Sequence, residues 1–132
     1  MKNSKQRNAI YDVVRNSKDH PDAQTILERV NKVMSSINLA TVYRNLAYLQ
    51  SQGLIKRIPI ESGDRFDYNT KDHSHFYCLA CNCVFDVEIE GMDCYHDLII
   101  KKYNCKIEAV DNLIKGYCYD CYNNVKNKEV VI

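Results

Sequence analysis

The sequence predicts an α+β fold in two lobes: a winged helix-turn-helix, then a smaller α/β lobe held by cysteines. Three observations carry this. Residues 8–52 hold three apolar patterns at helical spacing, and a strand–turn–strand pattern follows at 54–68. Residues 67–86 concentrate metal-ligand chemistry in Asp67, His73, His75, Cys78, Cys81, Cys83 and Asp86. A second Cys-x-x-Cys pair, Cys118 and Cys121, completes four cysteines at metal-site spacing.

The first helix is read over Asn8–Val14, with Ala9, Ile10, Val13 and Val14 on its apolar side. His20-Pro21 breaks the chain. Proline suits a first helical position, which makes His20 the expected cap of a second helix running to about Met34. Asn38 is the expected N-cap of a third helix, Leu39 to about Gln52, with Gly53 just past its end. Its apolar stripe is Leu39, Val42, Leu46 and Leu49, and Thr41, Arg44, Asn45 and Tyr48 form a second, polar stripe. Two strands, Leu54–Ile60 and Arg65–Tyr68, flank the turn Glu61-Ser62-Gly63-Asp64.

The polar run 69–74 reads as a hinge and divides the chain into domains 1–70 and 71–132. Strands are expected at His75–Cys78 and Val84–Ile89, a helix at about Met92–Tyr103, and a last strand within Lys106–Val110. The polar tail after Asn123 is expected to fray.

Charge separates the two parts. Residues 1–60 hold ten Lys/Arg against four Asp/Glu, and residues 61–132 hold eight against thirteen. The net charge of +1 hides this asymmetry, which points to different partners for the two lobes. No apolar run approaches the roughly 20 residues of a membrane span. The N-terminus carries no secretory signal pattern, so a cytoplasmic protein without a membrane partner is expected. In a reducing compartment, seven cysteines favour metal binding over disulfides.

Three constellations carry chemistry. Thr41, Tyr43, Arg44 and Asn45, near the start of the third helix, are residue types that reach phosphates and base edges in a major groove. The bland alternative is a solvated helix face. Cys78, Cys81, Cys118 and Cys121 match a closed tetrahedral Zn2+ site of structural type. Cys83 is read as a neighbour of that loop, and Cys94 and Cys105 as small buried residues. Asp67, His73, His75 and Asp86, with His20 as a further imidazole, offer mixed nitrogen and oxygen ligation that suits Fe2+ or Mn2+. Exposed hinge histidines and strand acids are the alternative there. The ten tyrosines are expected to pack the core and interfaces.

Taken together, these residues resemble the ferric uptake regulator (Fur) family of bacterial metal-dependent repressors. The resemblance runs from Gln6-Arg7 to Cys121. It rests on His20-Pro21, Leu39-Ala40-Thr41-Val42-Tyr43-Arg44-Asn45-Leu46, Arg65-Phe66-Asp67-Tyr68, His73-x-His75-Phe76 and both cysteine pairs. It implies a non-enzymatic homodimer with a winged-helix DNA-binding domain, an α/β dimerisation domain, a structural zinc and a regulatory metal at the hinge. It also implies that Tyr43 and Arg44 meet a palindromic double-stranded operator. Among the branches, the chain is most similar to the peroxide-sensing one, whose ligand set falls on His20, Asp67, His73, His75 and Asp86. That likeness implies His20 and His73 as the residues oxidised when the Fe2+ form meets peroxide. The iron-uptake branch typically has glutamates at the positions of Asp67 and Asp86. Two features depart from the family pattern: the chain begins almost at Gln6-Arg7, and Cys83 is an added cysteine. An iron-responsive repressor of the same fold and a thiol-based redox repressor stand as rival functions.

Overall fold

In the computed structural model the chain forms two compact units, Met1–Thr70 and Lys71–Ile132. Residues 2–71, 74–88, 94–108, 110 and 112–129 are described. Among them, no helix is long and apolar enough to cross a membrane.

The first unit contains α1 (Lys2–Asn16), α2 (Ala23–Asn31), α3 (Leu39–Ser51), β1 (Lys56–Ile58) and β2 (Arg65–Asp67). Its core is a continuous apolar cluster. Ile10 and Val14 from α1, Ile26 and Val30 from α2, and Val42, Leu46 and Leu49 from α3 are all buried, with Ile55 and Phe66 closing it from the hairpin side. β1 and β2 pair antiparallel, Arg57 opposite Phe66, and make the wing. At the tip, the Gly63 backbone takes φ +130, a conformation that L side chains rarely adopt.

The expected caps held in one helix and moved in another. Asn38 caps α3, its side chain accepting from the Thr41 N–H at 2.8 Å, and Gly53 takes φ +72 just past the end. The cap of α2 is Asp22, not His20, with the Asp22 side chain accepting from the Thr25 N–H at 2.8 Å. His20-Pro21 instead runs alongside β2. The Phe66 N–H donates to the Pro21 carbonyl at 3.0 Å, and Asp22 bridges Arg65. A backbone bond across the unit thus displaces the local capping signal by two residues. Between α2 and α3, the Asn31 side chain donates to the Ile37 carbonyl and accepts from its N–H, both at 3.2 Å, which fixes the entry to α3.

The second unit contains β3 (Ser74–Cys78), β4 (Val84–Val87), α4 (Cys94–Tyr103), β5 (Asn112–Gly116) and α5 (Tyr119–Glu129). Its sheet has the order β4-β3-β5, antiparallel between β3 and β4 and parallel between β3 and β5. The last strand therefore lies at Asn112–Gly116, not within Lys106–Val110 as the sequence led us to expect. Parallel pairing selects Leu113 and Ile114 to lie beside His75 and Phe76. The tail after Asn123 continues α5 instead of fraying from that point.

Buried apolar side chains are scarce in this unit. Among the described residues they are Tyr77, Cys78 and Val84, whereas Phe85, Leu98, Ile100, Tyr103, Ile114 and Tyr119 are exposed. Among the described tyrosines, Tyr43, Tyr48, Tyr68, Tyr103, Tyr117, Tyr119 and Tyr122 are exposed in the single chain, so few of them pack its core. Cys105 is likewise exposed, not buried.

Candidate metal centre and nucleic-acid interface

Each unit brings one imidazole against one carboxylate. In the first, His20 sits in the loop between α1 and α2 with φ +52, a left-handed conformation that costs a non-glycine residue on the order of 1 kcal/mol. Neighbours hold it there. Arg65 Nη1 donates to the His20 carbonyl at 3.2 Å. Arg29 clamps the preceding residues through Asp19 at 2.6 Å and Ser17 at 2.9 Å. Hydrogen bonding from Arg29 keeps the Asp19 carboxyl below its ordinary range. His20 Nε2 then lies 3.3 Å from Asp67 Oδ2, with both side chains buried.

In the second unit, the β3–β4 register sets His75 directly opposite Asp86. Cross-strand partners present side chains to the same face, and His75 Nε2 lies 3.3 Å from Asp86 Oδ1. His75 is buried, while 35% of the Asp86 side chain is exposed. His73 lies outside the described residues. The 3.3 Å nitrogen–oxygen separations approach the roughly 3.0 Å edge between neighbouring donors about 2.1 Å from an octahedral ion. Imidazole and carboxylate are also the donor types expected for Fe2+ or Mn2+.

The cysteines converge at one end of the β3–β4–β5 sheet. Cys78 ends β3, Cys81 lies in the turn that follows, and Cys118 follows β5. Cys81 Sγ and Cys118 Sγ are 3.9 Å apart, close to the edge of about 3.8 Å in a tetrahedron with Zn–S bonds of 2.3 Å. Burial would raise the Cys78 thiol, but N–H groups of Cys81, Cys118 and Ala80 aimed at its sulfur outweigh burial and bring it down to about 6. Two of these contacts measure 3.5 Å and 3.4 Å. A sulfur so poised favours the thiolate that metal binding requires.

Cys121 lies in the first turn of α5, and its proximity to the other thiols, chiefly Cys118, together with burial pushes its thiol up to about 12. The tightest group, however, contains Cys83. The sulfurs of Cys78, Cys81, Cys83 and Cys118 all lie within 4.8 Å of one another. Cys83 is thus part of the cluster, where we expected only a neighbour.

The face of α3 also differs from the expected reading. Tyr43 and Arg44 are exposed, but Thr41 and Asn45 are buried. Asn45 donates to the Thr41 carbonyl at 2.9 Å and accepts from Arg7 Nε at 3.2 Å. Arg44 Nη2 donates to Thr41 Oγ1 at 3.2 Å. Thr41 and Asn45 therefore spend polar capacity inside the unit, orienting their neighbours, and the expectation that they face outward is corrected. Arg7, which the sequence reading did not assign, lies 3.8 Å over the exposed Tyr48 ring and adds a cation beside α3.

The sequence pattern of the ferric uptake regulator family matches residues 1–113 of the chain. The chain belongs to the ferric uptake regulator family. Regulators of this family are metal-dependent, bind DNA and act as dimers, and the chain is accordingly a transcriptional regulator and not an enzyme. It is 32% identical to the peroxide operon regulator of Bacillus subtilis (strain 168) over 117 residues, 88% of this chain and 81% of the relative. The Campylobacter jejuni peroxide stress regulator matches with a TM-score of 0.77 and 26% identity, covering 91% of both chains. The Helicobacter pylori ferric uptake regulator, a protein with three functional metal-binding sites, shares the fold at a TM-score of 0.82. Identity there is 24%, with 89% of this chain and 80% of that one covered. Within the family, aspartates stand in both carboxylate pairs of this chain, at Asp67 and Asp86.

Proposed function

We propose that the chain is a cytoplasmic, homodimeric repressor that leaves a palindromic operator when hydrogen peroxide oxidises one of its own histidines. Unit 1–70 is the DNA-binding domain, and unit 71–132 is the dimerisation and metal-binding domain. Cys78, Cys81, Cys118 and Cys121 hold a structural Zn2+. His20, Asp67, His73, His75 and Asp86 hold a regulatory Fe2+ or Mn2+. The observation that carries this reading is the pair of imidazole–aspartate contacts, one in each unit, at 3.3 Å. It is supported by similarity to the peroxide operon regulator of Bacillus subtilis.

Donors drawn from both units tie the units together, which selects the arrangement that grips two successive major grooves. Fe2+ held by these residues would supply redox chemistry toward peroxide. His20 or His73 is then oxidised by two electrons: one oxygen enters a ring C–H bond and the other leaves as water. The altered ring donates more weakly, the tie is lost, and the operator is released. With Mn2+ in place the same side chains support DNA binding, and the peroxide response is weak.

Fluorescence anisotropy on an operator duplex tests this. Binding should require Fe2+ or Mn2+, and peroxide should release only the Fe2+ form. Metal-independent binding, or equal release of both forms, would overturn the reading. Arg44→Ala should cost about 1–3 kcal/mol of operator binding if its guanidinium reads a base, and less if it meets only phosphate. Unchanged binding in the same assay would remove Arg44 from the interface.

A further inference from the structure

The cysteine cluster holds one thiol more than a closed tetrahedral site uses. Cys78, Cys81 and Cys118 are common to two possible sets of four: Cys83 completes the group whose sulfurs lie within 4.8 Å of one another, and Cys121 completes the two Cys-x-x-Cys pairs of the sequence. The position of Cys83 is set by the backbone. The Cys78 N–H donates to the Cys83 carbonyl at 3.0 Å, and the Asn82 N–H donates to the Cys78 carbonyl at 3.0 Å. Asn82 turns the chain with φ +64, and its side chain meets the Tyr77 hydroxyl at 2.7 Å. This closed turn carries Cys83 back toward Cys78 at the start of β4. Cys121 comes from a different element, α5.

We propose that Cys83 and Cys121 are interchangeable fourth ligands of the thiolate site, so that the site keeps Zn2+ when either one is lost. The inference rests on the zinc reading given above. The exchange needs no oxidant. The Cys83 thiol gives up a proton as its sulfur bonds to the ion, and the departing Cys121 thiolate takes up a proton as its own bond breaks. Three sulfurs stay in place throughout. A fourth ligand from the β3–β4 turn leaves α5 untethered, whereas one from α5 ties that helix to the sheet.

The test compares Cys83→Ser, Cys121→Ser and the Cys83→Ser/Cys121→Ser double variant with the parent full chain. Zinc content is measured by native mass spectrometry. After Co2+ substitution, the sulfur-to-cobalt charge-transfer intensity reports the number of thiolate ligands. Both Cys83→Ser and Cys121→Ser should keep one ion and the parent's four-thiolate intensity. The double variant should fall to a three-thiolate spectrum and lose zinc to a chelator much faster than either. If Cys121→Ser alone loses zinc, drops to three thiolates or is insoluble while Cys83→Ser matches the parent, Cys83 is not a ligand. If the parent chain holds no zinc, or takes up Co2+ without a sulfur-to-cobalt charge-transfer band, the zinc reading itself fails, and this proposal with it.

Discussion

The Cys78→Ser/Cys81→Ser double variant, which leaves three thiols at the site, is expected to lose zinc and to unfold the second unit while leaving the first folded. The first unit has a core drawn from three helices and its wing. The second buries little apolar surface among its described residues, and Tyr77, Cys78 and Val84 are the buried apolar side chains. Cys78 is fully buried at the end of the central strand and takes N–H contacts from both cysteine-bearing loops. A serine hydroxyl there is a poor zinc ligand and does not reproduce the thiolate that those donors stabilise. Structural zinc contributes on the order of 10 kcal/mol, comparable to the whole stability of a small domain, about 5–15 kcal/mol. Zinc analysis with amide hydrogen exchange checks this: protection should vanish from β3, β4 and β5 and persist in α1, α2 and α3. A zinc-free variant with normal protection in the sheet would show that metal is not what holds this unit.

Asp86→Glu should separate two properties that the parent couples. It should keep metal-dependent operator binding and lose most histidine oxidation. Asp86 lies opposite His75 across the β3–β4 ladder, and its short carboxylate reaches 3.3 Å from Nε2. Glutamate adds one methylene and one torsion, so it still reaches an ion but approaches from another angle or with both oxygens. On the proposed reading, DNA binding would need only that the donors hold an ion. Oxidation would need peroxide to reach the bound ion, and the longer glutamate side chain at position 86 would hinder that approach. Oxidation of the Fe2+ form should slow by roughly tenfold or more, about 1.4 kcal/mol of barrier, while Mn2+-dependent binding stays near the parent's. A variant that oxidises and releases DNA as fast as the parent would remove Asp86 as the residue that sets sensitivity.

What the sequence disclosed and withheld follows from the range of the forces involved. The Asn38 cap, Gly53 and the apolar stripe of α3 are local features, and each stands where the pattern put it. The last strand is not local: parallel pairing with β3 decides it, and an alternating stretch at 106–110 looked as suitable as the one that pairs. The α2 cap moved because a bond from Phe66 holds Pro21 along the wing, 45 residues away in sequence. Thr41 and Asn45 fall on the polar stripe of α3, yet Asn45 is drawn inward by Arg7 from α1, a contact 38 residues away in sequence that no helical period encodes. For the candidate metal centres, residue type and spacing pointed to the cysteine pairs and to the imidazoles and carboxylates. Spacing could not show that the turn after Cys78 folds Cys83 back among the thiols.

The central claim is that peroxide acts on a ligand histidine and not on a thiol. Peptide mass spectrometry of the Fe2+-loaded dimer after anaerobic addition of peroxide tests it most directly. The account predicts one added oxygen on the peptide carrying His20 or His73, no such addition in the Mn2+ form, and a full response when Cys94 and Cys105 are both replaced by serine. Unmodified histidines together with a new disulfide or cysteine oxidation that tracks operator release would contradict it.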